Sequence, residues 1–166
     1  MTKFRTTLTA AAVLAALALT STADAKGTVR VRGTNGHAAA TAGQRGVAGR
    51  AGGTMVAEDG TVTHASGGGF VGANGARGAR ASSTSVSPDG TVSHQGAAAT
   101  SGANGSASTQ GGFTRNADGT TSGSRSTNAT NAYTGNSYSG STTVDNGQVS
   151  HTGTCTNASG AVIPCR

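Results

Sequence analysis

The sequence predicts an all-β or largely irregular protein: tandem short β-hairpins of about 30 residues, solenoid-like or cross-β, joined by glycine-rich and partly disordered connections. Three observations predict it. The string Asp59-Gly60-Thr61-Val62-Thr63-His64 returns as Asp89-Gly90-Thr91-Val92-Ser93-His94 and is echoed by Asn146-Gly147-Gln148-Val149-Ser150-His151. The turn signals Asp59-Gly60, Asp89-Gly90, Asp118-Gly119 and Asn146-Gly147 lie 30, 29 and 28 residues apart. Beyond residue 25 the chain has no leucine and only eleven valines, Ile163, Phe70, Phe113 and Met55 as large apolar residues, too few for an ordinary core. Units that cannot bury a face alone are ordered by stacking on copies of themselves.

The chain begins with a basic start (Lys3, Arg5), an apolar run from Leu8 to Leu19 and the small-residue end Ala23-Asp24-Ala25. This pattern predicts an export signal over 1–25, cleaved before Lys26, and a periplasmic or extracellular destination. No later run approaches the roughly 20 apolar residues of a spanning helix, so no transmembrane segment is expected in the mature chain. Residues 26–53 form a basic, Gly/Ala-rich segment, residues 54–151 the hairpin repeats, and residues 152–166 a C-terminal hairpin.

In the hairpin Ser87-Pro88-Asp89-Gly90-Thr91 the proline presets the first turn position, aspartate suits the second, and glycine takes the left-handed place of a three-residue loop. Counting outward pairs Val86 with Val92 and Thr84 with His94. The copy before it pairs Val56 with Val62 and Thr54 with His64. A two-residue Asn146-Gly147 turn pairs Val144 with Val149 and Thr142 with His151. Side chains alternate along a strand, so each valine pair and its threonine-histidine pair share a face. Around Asp118 the valine places hold Arg115 and Thr121 and no histidine follows, which predicts an edge or a break there.

Between the hairpins, glycine or a small residue recurs at every third position: Gly43, Gly46, Gly49, Gly52, then Gly69, Gly72, Gly75, Gly78. Two readings stand, polyproline-II-like packing and flexible linker. Collagen is excluded because Pro88 and Pro164 are the only prolines. Cys155 and Cys165, the only cysteines, bracket a reversal at Ser159-Gly160, and the export context predicts a disulfide between them.

The tandem Pro/Ala-Asp-Gly-Thr turns and the ending from His151 to Cys165 resemble a group of short secreted repeat proteins of Gram-negative bacteria. The resemblance implies export and repetition, and it assigns no activity to any residue.

Chemistry is sparse. His64, His94 and His151 occupy equivalent places, and stacking in register would line them up as a transition-metal site. Seven basic residues between Lys26 and Arg80 face only Glu58 and Asp59, so Arg30, Arg32, Arg45, Arg50, Arg77 and Arg80 are candidates for holding envelope polyanions. The alternative is that this charge keeps a sticky chain soluble. No nucleophile elbow, P-loop or metalloprotease motif occurs, and the Gly67 to Gly72 match to G-x-G-x-x-G is not followed by a helix former. The expectation is a non-enzymatic, self-associating structural protein with no cofactor and no sequence-specific nucleic-acid binding.

Overall fold

The computed structural model describes residues 26–165, so the predicted export signal at 1–25 lies outside the described residues. The described chain is one open, all-antiparallel sheet of eleven strands in which spatial order equals chain order. The strands are β1 (Gly27–Gly33), β2 (Gly36–Gly43), β3 (Gly46–Val56), β4 (Val62–Gly72), β5 (Arg77–Val86) and β6 (Val92–Gly102). They continue as β7 (Gly105–Arg115), β8 (Thr121–Asn131), β9 (Ser137–Asp145), β10 (Gln148–Thr156) and β11 (Val162–Ile163). Hairpins therefore add side by side in a single layer. Among the described residues none is fully buried, and no helix is long and apolar enough to cross a membrane.

Turn chemistry sets the register. At Gly60, Gly90 and Gly119 the backbone is left-handed, with φ of 83°, 87° and 88°, as a three-residue hairpin loop requires. Each preceding aspartate accepts a hydrogen bond from the backbone N–H two residues on, at 2.8 to 2.9 Å, fixing the loop. Asn146 and Gly147 are both left-handed, at 46° and 84°, the two-residue turn. The observed pairs Val56 with Val62, Thr54 with His64, Val86 with Val92, Thr84 with His94, Val144 with Val149 and Thr142 with His151 are those that outward counting gives. Cys155 and Cys165 are bonded, with Cα atoms 5.3 Å apart, and tie the short β11 hairpin down.

Two expectations are corrected. The copy around Asp118 is neither an edge nor a break. Arg115 pairs with Thr121 in the sheet interior, and β7 and β8 match over eleven residues, because the Asp118 turn is intact and a coreless sheet makes no demand for valine there. The glycine triplets are strand and strand ends, not polyproline-II or linker, with Gly75 alone in the turn before β5: Gly46 pairs with Gly72 and Gly49 with Gly69. Glycine is accepted because it makes room for a neighbour. A Cβ at residue 78 would stand 2.6 Å from the Phe70 ring, and one at residue 123 would stand 2.9 Å from the Phe113 Cβ.

Candidate functional site

Pairing partners share a face, so the register sorts every strand residue onto one of two faces. One face carries the four histidines, both strand phenylalanines, Tyr138 and six arginines: Arg30, Arg32, Arg50, Arg80, Arg115 and Arg125. The other is mostly Ala, Gly, Ser and Thr, with Arg77 its single strand arginine. Arg45 lies in the turn between β2 and β3. Of the six candidate arginines, the sheet thus brings Arg30, Arg32, Arg50 and Arg80 onto one face and leaves Arg45 and Arg77 off it.

Three of them fall in line. Following the pairing across the sheet gives Arg30, Ala39, Arg50, Gly68, Arg80, Ala98 and Thr109 in one row, an arginine on each of β1, β3 and β5. Alternate strands are about 9.5 Å apart, two strand spacings. Ala39 and Gly68 separate the arginines with nothing larger than a methyl group. Gly68 is needed for this: a Cβ there would stand 2.6 Å from the Gly49 carbonyl oxygen and 3.2 Å from the Arg50 Cβ. A fourth guanidinium joins from β8, where Arg125 leans across the sheet and donates through Nε to Thr109 Oγ1 at 2.9 Å. Positive charge therefore stands on the line of β1, β3, β5 and β7.

This face is hollowed into a trough of about 650 Å³, lined by Arg30, Arg50, Arg80 and Arg125 together with Phe70 and threonines. Among the described residues no carboxylate lies on it. Glu58, Asp59, Asp89 and Asp118 sit in the turns at one end of the sheet, and Asp145 closes β9 at that same end. Hydrogen bonds from the Thr61 backbone and then its hydroxyl hold the Asp59 carboxyl below the usual aspartate range. Asp118 is lowered likewise, by the Thr120 hydroxyl first and its backbone N–H second. These carboxyl groups lie at the turn end, remote from the arginine row.

The histidines do not converge as the sequence suggested. His64 and His94 share a row but stand two strands apart with Thr84 between them, and His151 falls in the neighbouring row, which also contains His37. Among the described residues no three His, Cys, Asp or Glu side chains come close enough to hold a metal ion. The reason is the antiparallel pairing itself: a hairpin places its histidine beside a threonine, never beside the next histidine. His64 Nδ1 lies 2.9 Å from Thr54 Oγ1, His94 Nδ1 2.8 Å from Thr84 Oγ1, and His151 Nδ1 2.8 Å from Thr142 Oγ1. These are cross-strand ties. Phe113 stacks on His94 at 5.5 Å, and the Tyr138 hydroxyl reaches His151 Nε2 at 3.3 Å.

The arginine row was present in the sequence as a register signal. Arg50 and Arg80 each stand six residues before the valine of their hairpin, so stepping outward by twos from Val56 and Val86 reaches them on the histidine face. Net charge alone had grouped them with Arg45 and Arg77. The lean of Arg125 onto Thr109 carries no such signal. Comparison with protein-family models, with curated proteins and with solved structures finds no match to this chain.

Proposed function

We propose that this is an exported, non-enzymatic structural protein of the cell envelope or extracellular matrix, acting as a subunit of an assembled β-structure. The observation that carries this reading is the single, coreless layer. A stable domain normally buries one layer against another, and among the described residues no side chain of this sheet is fully buried.

A second copy is the partner that fits the edges. The outer side of β1 pairs with nothing described, and β11 covers only Cys155 and Thr156 of β10, leaving Gln148 to Thr154 open. Every pairing is antiparallel, so β1 and β10 run in opposite directions. Laying β1 of one copy against β10 of the next continues the same meander. Such a head-to-tail contact does not close on itself and yields ribbons or filaments.

Sedimentation velocity and electron microscopy of the exported protein test this. Ribbons that lengthen with concentration are expected. Val149 sits one step from a two-residue turn, so its N–H faces away from β9, and Val149→Pro removes an edge donor without touching that ladder. It should stop elongation while the β spectrum persists. A wild-type protein that stays monomeric at every concentration, with its β spectrum intact, overturns the reading.

A further inference from the structure

We infer that the arginine trough is a binding site for a linear acidic polysaccharide, one that carries a single carboxylate or sulfate on every second sugar. The site is complete within one chain, so this inference does not depend on assembly. Arg30, Arg50 and Arg80 start from one line across the sheet on β1, β3 and β5, about 9.5 Å per step, and the Arg125 guanidinium reaches that line at Thr109 on β7, so the four positions span about 29 Å. Small side chains separate them, and every carboxylate of the described chain lies at the turn end. Arginine presents a planar fork that takes an oxyanion through two parallel hydrogen bonds, so a row of them selects a ligand with periodic anionic groups that each offer two oxygens.

The spacing decides between polyanions. Along a duplex axis each nucleic-acid strand carries a phosphate about every 3.4 Å, nearly three times denser than the arginines, so most of its charges would meet alanine, glycine or threonine. Non-specific binding to single strands also uses aromatic platforms for the bases, and Phe70 is the only aromatic lining the trough. A sparsely charged sugar chain suits it better. Beside the arginine row the trough offers the hydroxyl oxygens of Thr41, Thr100 and Thr127 as acceptors to sugar hydroxyls, and the Phe70 ring to the C–H face of a sugar.

The experiment is titration of the exported protein with hyaluronate, which bears one carboxylate per disaccharide, beside neutral dextran and oligo(dT). Hyaluronate is expected to bind, to weaken as salt is raised, and to outcompete oligo(dT); dextran should not bind. The double variant Arg50→Ala/Arg80→Ala should lose about tenfold or more in affinity, since each removes a charge-assisted contact. Arg50→Lys/Arg80→Lys keeps the charge without the fork and should lose about threefold, which separates recognition from unfolding. Arg77→Ala, on the opposite face, should change affinity by less than about twofold. An equal loss from Arg77→Ala, tighter binding of oligo(dT), or no hyaluronate binding at low salt overturns the assignment.

Discussion

The two faces of this sheet share one backbone and differ in what they ask of it. On the face that bears the histidines, aromatics and arginine row, large side chains lie over glycines of their own or neighbouring strands: Phe70 over Gly78, Phe113 beside Gly123, Arg125 beside Gly111, and Tyr138 across Gly140 and Gly153. The opposite face has few large groups to seat, and its cross-strand side-chain bonds include Thr63 with Ser85 at 2.8 Å and Arg77 Nε to Ser101 Oγ at 3.2 Å. Without a core, order comes from fit between adjacent strands, and the seating of aromatic and arginine side chains against glycine is confined to one face. That makes the first face the one that tolerates change least.

The sharpest way to break this comparison is to exchange a residue of each face for the same side chain. Gly140 and Ser139 are neighbours on β9 that point to opposite faces. Gly140→Val drives two methyl groups into the Tyr138 side chain and should cost about 2 to 3 kcal/mol, as overpacking does. Ser139→Val adds the same methyls to an exposed position with good strand propensity and should stay within about 0.5 kcal/mol. Urea midpoints of the two variants measure the contrast. Equal losses would mean that the faces are not distinct in packing.

A smaller effect sharpens the role of the histidines. Thr84→Val is nearly isosteric and removes the hydroxyl that meets His94 Nδ1, so it should cost about 0.5 to 1 kcal/mol. It should also shift the nitrogen resonances of His94, whose tautomer that bond biases. Ser85→Ala, one residue along and on the other face, deletes the bond to Thr63 and should leave the His94 resonances in place. A His94 spectrum that ignores Thr84→Val would remove the histidines from the cross-strand framework.

Much of this was legible because turns act locally. Asp-Gly and Asn-Gly fix loop length, loop length fixes register, and register placed Val56 opposite Val62 and Thr84 opposite His94 before any tertiary contact was considered. What sequence could not convey is what depends on the neighbouring strand. Gly46 and Gly49 read as polyproline-II-like or linker because their own composition disfavours a strand, yet Gly72 and Gly69 opposite them make the pairing fit. His151 matched His64 and His94 within its hairpin. Its row was displaced by the sum of all the intervening turn lengths, a quantity that no single repeat contains. The arginine row escaped composition for a related reason: charge counts ignore faces.

The turns belong to both faces at once, and acid provides the mildest test of that. The Asp59 and Asp118 carboxyls are lowered from the ordinary value of 3.8 by hydrogen bonds within their loops. A carboxylate with a depressed folded-state value contributes stability that is fully present above the unfolded value and is lost as pH falls through the folded one. Stability should therefore be flat above about pH 5 and decline below 3.8. Both side chains are fully exposed, so the decline should be smaller than the loss from Thr84→Val. In the double variant Asp59→Asn/Asp118→Asn the turn still accepts its hydrogen bond but no longer titrates, and the acid decline should flatten. Because a loosened turn releases both strands of its hairpin together, amide exchange at low pH should rise to the same extent at Met55 and Thr63, which pair across the β3–β4 hairpin. Faster exchange at only one of them would place the acid-sensitive step in one strand rather than in the turn that serves both faces.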